Sequence, residues 1–153
     1  MKLSKNFTLQ EFTKSQTALR KGLDNSMPEE HLEAAKLLAE HVLQPVREHF
    51  GPTTINSGYR GEALNKAVGG SPRSQHCKGQ AADIEVPGVS NYDVAKWIEE
   101  NCDFDQVLLE FYTSGIPDSG WVHVTYNKEG NRKKSLTATK VVGKTVYSLG
   151  LIE

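Results

Sequence analysis

The chain has 153 residues, of which 37% are hydrophobic and 24% are charged, and its formal net charge at pH 7 is −1. This length suits one domain with a hydrophobic core of its own, and the composition excludes an intrinsically disordered chain and a membrane protein. The near-neutral charge argues against a dedicated nucleic-acid-binding protein, which usually carries a basic excess. We therefore expect a single globular domain over residues 1–153.

The cysteine content and the N-terminal stretch exclude further classes. Cys77 and Cys102 are too few for a disulfide framework and form no C-x-x-C pair, which excludes a cysteine-based zinc knuckle. No segment approaches the roughly 18 apolar residues of a membrane-spanning helix, so membrane insertion is not expected. The stretch MKLSKNFTLQEFTKSQ lacks the apolar segment of a secretory signal. We therefore expect synthesis in the cytoplasm and delivery by another route to any substrate outside it.

The first predicted elements are helices. Thr8 is followed three residues later by Glu11, a capping-box pattern that predicts a short helix from about Leu9. The clearest helix covers residues 26–51, where apolar residues recur at helical spacing. Pro45 is expected to kink this helix, because proline cannot donate its backbone hydrogen bond there.

The rest of the chain predicts mostly strands. Short helices are predicted over residues 61–68 and 90–101. Strands are predicted over residues 53–60 (with a break at Gly58), 80–86, 105–112, 121–126, 136–142 and 144–153. The short basic run NRKKS at 131–135 is expected to be the solvated end of a hairpin. This order predicts an α+β fold, with helices packed on a mainly antiparallel sheet.

The stretch SQHCKGQAADI places His76, Cys77 and Asp83 within eight positions. It is open to three interpretations: a metal site, a Cys–His nucleophile, or an ordinary turn that leads into a buried strand. The nucleophile is disfavoured, because consecutive residues such as His76 and Cys77 rarely direct their side chains at each other. A catalytic zinc takes about three protein ligands and keeps one position open for water. His76 and Asp83 would supply two of these ligands, and Gly79 would permit the turn between them.

A third ligand is offered by His123, in the strand segment WVHV. A lone histidine in a strand is more often a packed core residue than a ligand, but the two-ligand motif elsewhere in the chain favours a metal site here. The remaining histidines lie on the long predicted helix and are expected at its surface: His31, His41 and His49. No two of these three histidines are four residues apart, as the histidines of the H-E-x-x-H motif are.

Metal-activated water also requires a general base within hydrogen-bond reach. Glu110 lies in the apolar strand segment LLEFY, where a carboxylate costs free energy unless it is paired or used. Asp118 is a rival base, although the PDSG turn accounts for an aspartate at that position. Arg60 follows the strand break in SGYR, where an arginine can clamp a substrate carboxylate or stabilise an oxyanion.

These motifs resemble those of a known family. SQHCKGQAADI fits the pattern S-x-H-x-x-G-x-A-x-D, which is similar to the zinc-ligand signature of the D-alanyl-D-alanine carboxypeptidases and L-alanyl-D-glutamate endopeptidases of peptidoglycan. Hedgehog signalling domains and vancomycin-resistance dipeptidases are similar. The segments INSGYR, GYRGEALNKAVGG, FDQVLLEFY and GWVHVTY follow in the family's order, so the resemblance extends to about residue 126. The opening segment resembles the start of small phage-encoded and prophage-encoded members.

The resemblance implies a hedgehog-like zinc peptidase fold and assigns roles to the candidate residues. It implies Zn²⁺ bound by His76, Asp83 and His123. It implies Glu110 as the general base and Arg60 near the carbonyl or carboxylate of the substrate.

The resemblance also implies a set of substrate contacts. Ser74 and Gln75 would line the site, and we place Tyr59 and Trp121 with them. Trp121 stands where many members carry the first histidine of an H-x-H pair. Gly120 stands where other branches carry an acidic base three residues before the last ligand, which favours the strand glutamate as the base here.

The function implied is zinc-dependent hydrolysis of peptide bonds in the stem or cross-link peptide of peptidoglycan. An endolysin of this kind would be made in the host cytoplasm and would act on the cell wall after release, as a monomer without a nucleic-acid partner. Two alternatives stay open. A carboxypeptidase would trim terminal D-alanine, with Arg60 gripping the substrate carboxylate in a blocked cleft. A non-catalytic zinc-binding phage structural or wall-recognition module would need no Glu110.

Overall fold

A computed structural model describes residues 1–153. Six strands form one sheet: β1 (Thr54–Ser57), β2 (Ala81–Glu85), β3 (Gln106–Glu110), β4 (Trp121–Thr125), β5 (Lys134–Val141) and β6 (Lys144–Leu149). Their order is β1-β2-β4-β3-β5-β6. All neighbours are antiparallel except β3 and β5, which run parallel. The predicted α+β fold with a mainly antiparallel sheet is confirmed, and the parallel β3–β5 pair makes the sheet a mixed one.

Helices cover the rest of the regular structure: α1 (Leu9–Thr13), α2 (Gln16–Lys21), α3 (Glu29–Leu38), α4 (Gln44–Phe50), α5 (Glu62–Ala67) and α6 (Asn91–Asn101). Helix α1 has the predicted capping box: the Thr8 side chain accepts from the backbone N–H of Glu11, and the Glu11 carboxylate accepts from that of Thr8. Helix α2 was not predicted, although Ser15 caps it by accepting from the backbone N–H of Ala18. None of the helices has both the length and the apolar character needed to cross a membrane.

The long predicted helix is one continuous helical run, in which a π-helical turn (Ala39–Leu43) joins α3 to α4. Pro45 lacks a backbone N–H, and its ring crowds the carbonyl group four residues earlier. The wider turn lies just before this residue, and the Gln44 N–H donates to the Ala39 carbonyl five residues back. A π-helical turn therefore lies just before Pro45, the residue at which a kink was predicted.

The hydrophobic core lies between one face of the sheet and the helices. Alternate residues of β2, β3 and β4 are fully buried in it: Ala82, Ile84, Val107, Leu109, Val122 and Val124. Successive side chains of a strand point to opposite faces of the sheet. The intervening residues of these strands therefore share the opposite face, where the candidate functional residues lie.

Candidate metal centre

The strand register brings the predicted metal ligands together. Asp83 on β2 lies directly opposite His123 on β4, and Leu108 on β3 flanks His123 on the other side. His76 comes from a 3₁₀ turn (Gln75–Lys78) just before β2. One ligand atom from each of His76, Asp83 and His123 lies within 4.8 Å of the others. The three residues therefore form one cluster on the sheet face opposite the core.

Asp83 lies at the centre of this cluster. Its Oδ1 is 2.9 Å from Nδ1 of His123 and 3.5 Å from Nε2 of His76, and its Oδ2 is 3.4 Å from Nη2 of Arg60. Burial raises the pKa of the Asp83 carboxyl, but hydrogen bonds from His123 and His76 outweigh this effect and hold the pKa well below its usual range. Asp83 is therefore a carboxylate anion, the form that binds a cation.

The donor set and its surroundings fit zinc, which is commonly bound by two imidazoles and one carboxylate. Nδ1 of His76 lies 2.7 Å from the carbonyl oxygen of Gly58. A carbonyl oxygen only accepts, so Nδ1 carries a proton, and Nε2 is the ring atom that faces Asp83. A metal ion bound between Nε2 and the Asp83 carboxylate would take the place of a proton there. A backbone carbonyl that fixes the ring in this way is typical of metal-bound histidines.

Gly79 shapes the turn that carries His76. It has a φ of 72°, in the left-handed region that glycine adopts without steric cost. A Cβ at this position would lie 2.6 Å from the carbonyl oxygen of His31. The turn therefore requires glycine for its backbone conformation and for the space beside it.

The cluster opens into a cavity of about 770 Å³, which we call the cleft. Its lining from the sheet face comprises Asp83, Gln106, Leu108, Glu110, Trp121 and His123. Further lining comes from the segment that links α5 to the 3₁₀ turn and from the β5–β6 hairpin. The cleft therefore extends from the metal cluster across the sheet to its last two strands.

Glu110 lies in the cleft at the end of β3. It is paired with Trp121 and lies two residues beyond Leu108, the partner of His123. The side chain is half-buried. Burial raises the pKa of its carboxyl group, with the charges of His123 and Arg60 acting in the opposite direction. A carboxylate with a raised pKa is suited both to accept a proton and to return it.

Asp118, the rival base, lies elsewhere. It is in the loop between β3 and β4 and lines a separate cavity of about 460 Å³, together with residues of β1 and of the segment 85–91. It does not line the cleft. The fold therefore places only Glu110 of these two carboxylates beside the metal cluster.

The comparison with protein families agrees with this geometry. The sequence model of the family described as Peptidase M15 matches residues 5–125, which include His76, Asp83, His123 and Glu110. The chain belongs to the Peptidase M15 family. M15 peptidases are zinc-dependent metallopeptidases, and the His76–Asp83–His123 cluster is a group of side chains that could hold such a metal ion. A comparison with curated protein sequences gave no significant match.

In this M15 peptidase Arg60 lies beside the His76–Asp83–His123 cluster, and its guanidinium group contacts three side chains. Nη2 contacts Asp83, Nε donates to Ser57 Oγ at 3.1 Å, and Nη1 donates to Asn65 Oδ1 at 3.5 Å. Asn65 is itself buried and donates to the Ser71 carbonyl at 2.8 Å. Arg60 therefore connects Asp83, through Asn65, to the segment that lines the cleft.

The predicted substrate contacts Ser74 and Gln75 both line the cleft, and both also support the turn that carries His76. The Ser74 hydroxyl accepts from the His76 backbone N–H at 3.2 Å. The Gln75 side-chain amide donates to the Asp105 carboxylate at 3.1 Å. Their hydrogen bonds therefore position a metal ligand, which is a role that the sequence pattern does not reveal.

Asp105 accepts further hydrogen bonds from Arg132. The carboxylate is fully buried, and it accepts from the Arg132 backbone N–H at 2.8 Å, from Nε at 3.0 Å and from Nη2 at 2.9 Å. Residues 131–135 were predicted to be the solvated end of a hairpin. Arg132 is exposed as predicted, but the hairpin is wrong, because β3 lies between β4 and β5 in the sheet. Arg132 caps a buried acid that in turn holds Gln75.

The two aromatic residues predicted as substrate contacts have different environments. Trp121 lines the cleft and packs edge-on against Phe111, with ring centroids 5.4 Å apart. Tyr59 is buried in the hydrophobic core and does not line the cleft. The GYR motif does not distinguish these environments, because it does not show which side of the strand end Tyr59 faces.

Cys77 does not line the cleft either, and burial raises the pKa of its thiol. It therefore stays a neutral thiol, which does not favour a nucleophilic role. The helical histidines lie outside the cluster, as predicted. His41 stacks on Tyr126 with a centroid distance of 4.6 Å, and His49 stacks on Trp97 at 4.5 Å.

Sequence reasoning missed the cleft residues of the β5–β6 hairpin: Leu136, Lys140 and Tyr147. Leu136 and Lys140 are separated by an even number of positions on β5, so their side chains lie on the same face of the sheet. Nothing local in the sequence shows that β5 pairs with β3, so their position near the metal cluster could not be inferred.

Proposed function

We propose that the protein is a zinc-dependent peptidoglycan peptidase that hydrolyses a peptide bond within the stem or cross-link peptide. Membership in the M15 family supports metallopeptidase chemistry. The observation that carries the proposal is the half-buried Glu110 in the same cleft as the His76–Asp83–His123 cluster. A module that only bound zinc would have no use for a shielded carboxylate at this position, and shielding it costs free energy.

His76, Asp83 and His123 would hold the zinc ion. When bound, zinc polarises a carbonyl group and lowers the pKa of water. Glu110 accepts a proton from the attacking water, whose oxygen forms the new bond to the carbonyl carbon. Glu110 then donates this proton to the leaving amine as the C–N bond breaks, so the carboxylate is regenerated. Its raised pKa favours the second transfer.

Two features favour cleavage inside a peptide over removal of terminal D-alanine. Arg60 directs its guanidinium at Asp83, Ser57 and Asn65, so it offers no free bidentate face to a terminal carboxylate. The cleft also continues from the metal cluster to the β5–β6 hairpin, which leaves room for peptide beyond the cleaved bond. We therefore propose an endopeptidase of the endolysin type that acts at the bacterial cell wall.

Digestion of purified peptidoglycan followed by mass spectrometry of the muropeptides tests this proposal. Zinc-loaded protein is expected to release products cut at an internal stem or cross-link bond. Chelator and the His123→Ala variant should abolish them, whereas His41→Ala, a histidine outside the cluster, should not. Release of terminal alanine alone would identify a carboxypeptidase. Failure of zinc-loaded protein to cut several wall types would favour the binding module.

A further inference from the structure

The cleft carries more cationic than anionic side chains. Arg60, Arg73 and Lys140 line it, against Asp83 and Glu110, although the whole chain has a net charge of −1. In the proposed function, Asp83 binds the metal ion and Glu110 is the general base. An excess of cationic side chains in a cleft favours ligands of negative charge. The cleft is therefore suited to an anionic peptide.

Lys140 is a cation in the cleft without an internal partner. It is exposed and forms no ion pair with any residue of the chain. Its Nζ lies 5.5 Å from the ring centroid of Phe111, the residue that follows Glu110. Arg60, in contrast, is bound to Asp83. The ammonium group of Lys140 is therefore held near the general base and is free to contact a ligand.

The strand register gives the distance between the backbones of Lys140 and Glu110. Glu110 on β3 is level with Ala138 on β5, and Lys140 lies two residues further along the same face of β5. Two residues along a strand and one strand across the sheet correspond together to about 8 Å. An extended peptide covers this distance with about two to three residues. A substrate carboxylate about two to three residues from the part of the peptide beside Glu110 would therefore reach Lys140.

We propose that Lys140 forms a subsite for a free carboxylate of the peptide substrate. The proposal rests on the proposed function for the identity of its ligand, and it deepens that function by naming the charge of the substrate. Tyr147 on β6 pairs with Ala138 and completes the lining beside Lys140. The β5–β6 hairpin lies outside residues 5–125, the region that the family model matches.

The test measures binding separately from turnover. Zinc-loaded Glu110→Gln protein is titrated by calorimetry with three synthetic stem peptides: one with all carboxylates free, one amidated at the glutamate α-carboxylate, and one amidated at the C-terminus. One amidated peptide is expected to bind about two- to fivefold more weakly, the scale of an exposed ion pair. Adding Lys140→Met should remove this difference. Adding Lys144→Met should preserve it, because Lys144 pairs with Val141 and points to the opposite face.

Equal dissociation constants for the three peptides would overturn the subsite, and so would a preference that persists when Lys140 is replaced. Turnover of the same peptides by the unmodified protein tests the peptidase function independently. Carboxylate-dependent binding without cleavage would support the subsite and reject the peptidase. Cleavage by a protein with no carboxylate preference would do the reverse.

Discussion

At the scale of single residues, Glu110 and Asp118 precede His123 by short intervals, yet their surroundings separate their chemistry. Glu110 shares the cleft with His123, whereas Asp118 lines a different cavity. Burial raises the pKa of Glu110, so its protonated form is more accessible at neutral pH than that of an exposed carboxyl. A general base must touch the water it activates, and of these two carboxylates only Glu110 lines the cleft that contains His123.

The Glu110→Gln variant is therefore expected to keep its zinc and to lose at least ~100-fold in kcat, the scale of general-base catalysis. Glutamine preserves the size of the side chain and removes the proton acceptor. Metal content and kcat are measured on the same preparation, so that loss of zinc is not mistaken for loss of the base. Asp118→Asn serves as the control and should leave kcat unchanged. The opposite pattern would assign the base to Asp118.

At the scale of secondary-structure elements, the sequence predicted the helices whose first residues carry a local capping pattern. Thr8 caps α1, and Ser90 caps α6 by accepting from the Asp93 backbone N–H. The irregularity of the long helix was located at Pro45, but its form as a π-helical turn depends on which carbonyl the Gln44 N–H reaches. A local sequence pattern does not show which carbonyl this N–H reaches.

The turn after His76 provides a test at this scale, because the chain contains a matched glycine. Gly79 and Gly88 have φ angles of 72° and 83°, but a Cβ would meet the His31 carbonyl at 2.6 Å only at position 79. Gly88→Ala is expected to cost about 1 kcal/mol of unfolding free energy through backbone strain. Gly79→Ala should cost at least about 2 kcal/mol and weaken zinc binding by displacing His76. Urea unfolding and zinc titration measure both effects, and equal losses for the two variants would show that the His31 backbone gives way.

At the scale of the whole molecule, the sequence predicted the metal cluster better than the cleft around it. His76, Asp83 and His123 have side chains whose chemistry and spacing indicate a metal site. The opposite end of the cleft depends on the parallel pairing of β5 with β3, which leaves no periodic signal. Arg132 likewise lies in a run that resembles a solvated turn, although it binds a buried carboxylate 27 positions earlier. Such contacts between distant segments follow from topology, which local patterns do not encode.

Asp105 is the residue that joins these distant segments. It accepts hydrogen bonds from Gln75 in the turn before β2, from Thr125 on β4 and from Arg132 before β5. Burial raises its pKa, but the hydrogen bonds from Arg132 and Gln75 outweigh this effect and lower the pKa to about 2. The unfolded chain has an ordinary aspartate pKa of about 3.9. The ionised carboxylate therefore contributes stability above pH ~4, and this contribution is lost as the pH falls from about 4 to about 2.

Asp105→Asn is accordingly expected to lower the unfolding free energy at pH 7 by about 2 kcal/mol, the size of the linkage between these pKa values. The difference from the unmodified protein should shrink as the pH falls below about 4, because Asp105 then becomes protonated in both states. Urea unfolding from pH 2 to pH 7 measures the effect, with chelator present so that acid release of zinc does not contribute. Asp103→Asn is the matched control: Asp103 is exposed, and its replacement should change stability by less than about 0.5 kcal/mol. A deficit in Asp105→Asn that stays constant over this pH range would show that the native protein does not depend on the ionised form of Asp105.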